Sequence, residues 1–75
     1  MQNQQYIERN PEIMMGKPVI KGTRITVELV VRKLANGYTV RDLLKSYPHL
    51  SEEQISAALE YTADMLANEE TIETA

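Results

Sequence analysis

The sequence predicts a mainly α fold of the α+β type, with a short N-terminal β-arm leading into a three-helix bundle. Three observations carry this. At Ile25 the apolar residues switch from short runs bounded by Gly and Pro to a spacing of three and four. Three helix-start signals then follow one another. The chain has 75 residues, room for three or four regular elements and no second domain. The expected layout is a single domain with an arm over residues 6–25, a bundle over 26–68 and a flexible tail over 69–75. A polar cap occupies residues 1–5.

The arm comes first. Tyr6-Ile7-Glu8-Arg9 reads as a short strand closed by Asn10-Pro11, a dipeptide that initiates turns. Pro18-Val19-Ile20-Lys21 reads as a second strand, with Pro18 at its start because proline cannot donate to a ladder. Gly16 and Gly22 punctuate it on both sides.

Each helix has its own start logic. In the first, Thr26 caps, Ile25 and Val30 have staple spacing, and Val27, Val30, Val31 and Leu34 form one stripe that Asn36-Gly37 ends. In the second, Thr39 caps with Asp42 at the third helical position, Tyr38 and Leu43 have staple spacing, and Val40, Leu43, Leu44 and Tyr47 share a face before Pro48. In the third, Ser51 and Gln54 have capping-box spacing, with Leu50 and Ile55 as the staple pair. Its expected stripe is Ile55, Ala58, Leu59, Thr62 and Leu66, and its expected end lies near Asn68. Short links between the helices force neighbours to pack, giving a helix-turn-helix-like outline without the Gly common in that turn.

Composition narrows the function classes. Hydrophobic residues make up 43% of the chain, but Phe and Trp are absent, so the core must be built from Ile, Leu, Val, Met and Ala. A core that thin gains from a partner chain or a homodimer. Two short strands are marginal alone in water, so Tyr6, Ile7, Val19 and Ile20 are expected to pair or pack at a dimer interface or against the helices. With no Cys, there is no disulfide framework, thiolate nucleophile or Cys-based metal site. The first residues lack the basic and apolar regions of a signal peptide, and no apolar run reaches 18 residues, so a cytoplasmic chain is expected with no membrane contact.

Charge is divided along the chain. Residues 1–50 hold all eight basic side chains against four acids, a balance of +4, whereas residues 51–75 hold seven acids and no base. A polyanion would therefore meet the first part. The candidates for nucleic-acid contact are Lys17, Lys21, Arg24, Arg41 and Lys45, with Arg41 and Lys45 one helical turn apart. Ordinary surface charge explains them equally, and Arg24 can instead hold the arm to the helices. Standard docking of the third helix in a groove is opposed by Glu52, Glu53, Glu60 and Asp64, because phosphate contacts supply most non-specific affinity.

Other readings lack their full pattern. Gly16-Lys17-Pro18 and Gly22-Thr23 do not make a phosphate-binding loop, and turn geometry accounts for their glycines. His49 has no second His or Cys to share a metal and no placed partner to make it a general base. Met14, Met15 and Met65 read as core filler or dimer contacts. No catalytic constellation is visible, so neither an enzyme nor a cofactor, metal or small-molecule substrate is expected.

The run Asn10-Pro11-Glu12-Ile13-Met14-Met15-Gly16-Lys17-Pro18-Val19-Ile20-Lys21-Gly22-Thr23-Arg24-Ile25 resembles the signature of the domain-of-unknown-function family DUF433. Gly37, Tyr47-Pro48-His49-Leu50 and Ala57-Ala58-Leu59-Glu60-Tyr61 follow in the family's order, and the resemblance covers about residues 6–66. Asn10 stands where the family usually has Asp, and Met14-Met15 where it often has Cys and Gly. The resemblance implies a homeodomain-like helix-turn-helix protein and, for at least some members, an antitoxin that binds a PIN-like ribonuclease toxin and its own operator DNA. Two functions are therefore expected in competition. One is an antitoxin-like DNA-binding regulator in which the acidic third helix or tail engages a basic partner. The other is a homodimeric protein-interaction module that binds no DNA.

Overall fold

The computed structural model describes residues 5–74, and side chains through Asn68. Most of the expected polar cap, residues 1–4, lies outside the described residues, as do the side chains of the expected tail. The order is β1 (Ile7–Glu8), β2 (Val19–Ile20), α1 (Val27–Ala35), α2 (Val40–Ser46) and α3 (Glu52–Thr74), the expected arm and three helices.

The strands pair antiparallel, with Ile7 opposite Ile20 and Glu8 opposite Val19. β2 is also tied along its other edge. The amide of Ile20 donates to the carbonyl of Ile25 at 2.9 Å, and that of Val27 to Pro18 at 2.9 Å, bridging Val19 to Thr26. Thr23 closes the intervening turn. Its hydroxyl donates to the Ile20 carbonyl at 2.8 Å and accepts from the Ile25 amide at 3.0 Å, while Gly22 supplies the left-handed backbone at φ +82°. The arm is thus a hairpin continued into α1 and folded onto the helices.

The link between the strands holds a strained turn. Asn10 starts it, accepting the Glu12 amide on its side chain at 2.9 Å and the Ile13 amide on its carbonyl at 2.8 Å. A one-turn 3₁₀ helix follows at Met14–Gly16, and all three residues have positive φ: 49°, 57° and 82°. Left-handed backbone costs a residue with a Cβ roughly 1–2 kcal/mol. Bonds from Gly16 to Ile13 and from Lys17 to Met14 hold the turn, and Met15 is left 87% exposed. Neither Met14 nor Met15 fills the core.

Helix starts match the capping residues. Thr26 accepts the Leu29 amide at 3.0 Å. Thr39 and Asp42 form a reciprocal capping box, as do Ser51 and Gln54. α1 ends in a Schellman motif, in which the Tyr38 amide reaches the Lys33 carbonyl, the Gly37 amide reaches Leu34, and Gly37 sits at φ +99°. Tyr38 does not turn inward as a staple. It is exposed, with the Lys33 ammonium 4.7 Å above its ring.

The core gathers Ile7, Ile20, Val27, Val30, Leu43, Leu50, Ile55, Ala57 and Ala58, with the fully buried Val19 beside them. On α2, Leu43 is buried while Val40 stays exposed. Two expectations about α3 are corrected. Its buried side is Ile55, Ala57 and Ala58, whereas Leu59 and Leu66, expected in the stripe, are 41% and 54% exposed. α3 packs against β1 as well as α1 and α2, and that third contact rotates its inward face toward Ala57, where a small side chain permits close approach. The helix also continues to Thr74 instead of ending near Asn68. Nothing after Asn68 breaks a helix, since residues 69–74 contain neither Gly nor Pro.

Candidate interaction surfaces

The five cations singled out from the sequence do not behave as one set. Lys17 is committed, its ammonium 3.4 Å from a Glu28 carboxylate oxygen, while Arg32 donates to the other Glu28 oxygen at 3.0 Å. These two bonds, that to Arg32 first, hold the Glu28 carboxyl below the usual carboxylate range. Lys21, Arg24, Arg41 and Lys45 are exposed, and among the described residues none of them is in an ion pair. Asp42 sits between Arg41 and Lys45 in sequence, but its carboxylate accepts the Thr39 amide at 2.9 Å. That backbone bond, then the Thr39 hydroxyl, keeps the Asp42 carboxyl below its usual range, with smaller contributions from Lys45 and Arg41.

Of the two placements expected for the arm's apolar residues, a dimer interface or the helices, the fold of the single chain gives the packing on the helices. Ile7, Val19 and Ile20 are buried in the protomer's own core, and Tyr6 is half-buried against it. Both edges of β2 are hydrogen-bonded within the chain, so neither is open to a strand from another copy.

The start of α3 is acidic. Glu52, Glu53 and Glu60, together with Tyr6, Ser56 and Ala57, line a cleft of about 610 Å³. In helix-turn-helix docking this end would approach a groove, and its carboxylates would face phosphates. His49 is an exposed turn residue, and no group of three or more metal-ligating side chains is assembled among the described residues. No helix among the described residues is long and apolar enough to cross a membrane.

A second concavity, of about 520 Å³, runs between α1 and α3. Val27, Val31 and Ala35 of α1 form one wall, and Tyr61, Thr62 and Met65 of α3 the other. Lys17, Glu28 and Arg32 stand at its rim. Every side chain of residues 63–68 is exposed, including Met65 at 41% and Leu66 at 54%. The sequence pointed to neither the groove nor the bare helix end. The available signal was a helical apolar spacing that persists through Leu66 in a stretch, residues 51–75, with no Lys, Arg or His.

Comparison with known proteins agrees with the motif reading. Over 57 residues the chain is 35% identical to "Uncharacterized protein y4eO" of Sinorhizobium fredii (strain NBRC 101917 / NGR234), a match covering 76% of this chain. It spans about a quarter of that relative's length, 26%. The fold is similar to the crystal structure of a DUF433 member protein from Anabaena variabilis ATCC 29413, with a TM-score of 0.79, 34% identity, and coverage of 95% of this chain and 67% of that one. The model of the family described as protein of unknown function (DUF433) matches residues 7–62, from β1 to the last turn of α3 that packs on the core. This chain belongs to the DUF433 family.

Proposed function

We propose that the chain is a non-catalytic binding module, organised like an antitoxin, whose exposed half of α3 docks a partner protein. One observation carries the reading: the helix continues for more than two turns past Thr62, the last half-buried residue among the described side chains, while presenting Met65 and Leu66 to solvent. Single helices of that length are marginal in water, and their stability in proteins comes from packing an apolar face. The charges on this half are all acidic, so the complementary partner is apolar and basic. The family resemblance makes a PIN-like ribonuclease toxin the first candidate.

DNA contact is the second activity this reading includes, and the exposed Lys21, Arg24, Arg41 and Lys45, which form no ion pair among the described residues, favour it. It would be carried by the 20–25 turn and α2, because the start of α3 is lined by carboxylates. The competing reading, an interaction module without DNA binding, draws support from that same acidic cleft.

Copurification from native cells through an N-terminal tag, with and without nuclease, separates these readings. A nuclease-resistant partner captured by the wild type and lost with Leu66→Glu is the expected result. An identical captured set for both proteins overturns the docking role. For DNA, binding that falls steeply with salt and weakens in the double variant Lys21→Ala and Arg24→Ala is expected, and weak binding indifferent to both removes that activity.

A further inference from the structure

We infer that the groove between α1 and α3 receives the exposed half of α3 from a second copy of this chain, reciprocally, in a twofold dimer. The inference rests on the reading of that half as a docking element and names its partner.

The groove and the helix end are chemically complementary. Val31, Ala35, Tyr61 and Met65 give the groove an apolar floor, and at its rim two cations, Lys17 and Arg32, share the single carboxylate of Glu28. The rim is therefore cationic by one charge. The helix end presents Met65 and Leu66 among charges that are all acidic in sequence, since residues 51–75 hold no Lys, Arg or His. An apolar, anionic ridge fits an apolar groove with a cationic lip. The other large concavity, lined by Glu52, Glu53 and Glu60, would repel it.

Geometry supports reciprocity. Met65 both lines the groove and stands in the exposed half, so groove and ridge are adjacent on one surface. A twofold axis beside Met65 carries each ridge onto the other copy's groove and closes the assembly at two, the isologous arrangement that leaves no free patch for a third copy. The ridge must lie toward the partner's α1. Two α3 helices laid directly along each other would set carboxylates on carboxylates with no cation between them.

The dimer leaves the arm inside each protomer, consistent with the burial of Val19 and Ile20 and the pairing of both β2 edges. It also covers the part of α3 that its own chain leaves bare.

Sedimentation of the purified chain from about 1 to about 100 µM tests this, with Ala35→Glu in the groove and Leu66→Glu on the ridge as variants. Both positions are exposed, so helicity by circular dichroism should be unchanged. The expected result is a wild-type dimer whose dissociation constant rises at least about tenfold in either variant. Because the chain has no Cys, mixing A35C with L66C under oxidising conditions should give a cross-linked pair that neither forms alone. A monomer throughout, a dimer indifferent to both glutamates, or cross-linking of L66C with itself in place of the mixture overturns the inference. A monomer that still loses a captured partner with L66E overturns only the self-pairing. A dimer undone by A35E and L66E, with no other protein captured, overturns only the hetero-partner reading.

Discussion

The two halves of α3 share one helix and almost nothing else. The first begins with a reciprocal Ser51–Gln54 cap and buries Ile55, Ala57 and Ala58 against α1, α2 and β1. The second has the same backbone and similar helix formers, yet no side chain of residues 63–68 is covered. A helix is thus held where other elements press on it, while its hydrogen-bonding pattern runs on beyond them. The difference teaches that helix length and core membership are set by different physics: the first by the absence of breakers, the second by the reach of the neighbouring elements.

Several substitutions would sharpen or break that contrast. The largest effect is expected in the packed half, where Ile55→Ala removes a fully buried side chain and should lower stability in denaturant titration by about 2–5 kcal/mol. Ser51→Ala deletes one arm of the cap, for an expected loss of about 1 kcal/mol in the same titration. Met15→Gly is a control on a second exposed apolar site, one exposed through strained local backbone. It should raise stability by about 0.5–1 kcal/mol, the relief of left-handed strain less the added freedom of the unfolded chain. Leu66→Ala in the bare half should change protomer stability by less than about 0.5 kcal/mol under conditions where the chain is monomeric. A large loss there would mean that the second half packs on its own chain, and the contrast would fail. Hydrogen exchange gives the same comparison without mutation, with slow amides around Ile55 and fast ones beyond Met65.

The smallest expected effect is on pH. The carboxyls of Glu28 and Asp42 are both held below their usual range in the folded chain. Their contribution is therefore present above the carboxylate range of the unfolded chain and lost as pH falls through the folded values. Melting midpoints should drop on acidification through that range, with a shallower drop in E28Q and D42N. Unchanged slopes in both variants would show that these exposed contacts add nothing to stability.

Much of the local structure was legible in the residues. Thr26, Thr39 and Ser51 all cap, because a hydroxyl before an apolar-periodic run meets amides within its own turn. Asn36-Gly37 ends α1 through bonds confined to six residues. The two strands fall within the expected runs, bounded by Pro18, Gly22 and the Asn10 turn. Less legible was which apolar residues face inward. Leu59 and Ala57 lie on different sides of one helix, and only the placement of β1 decides between them. Likewise, Lys17 looked no different from Lys21 until α1 brought Glu28 beside it.

The sequence by itself determined the element order, the caps, the turns and the division of charge between the first fifty residues and the rest. Each of those depends on contacts within a few positions of the chain or on a sum over it. Only the tertiary structure decided that the arm belongs to the protomer's core and that, of the five candidate cations, Lys17 alone is in an ion pair among the described residues. It also decided that α3 emerges with an apolar, acidic half beside a cation-rimmed groove. Those features depend on residues far apart in sequence meeting in space, and no local pattern encodes that meeting.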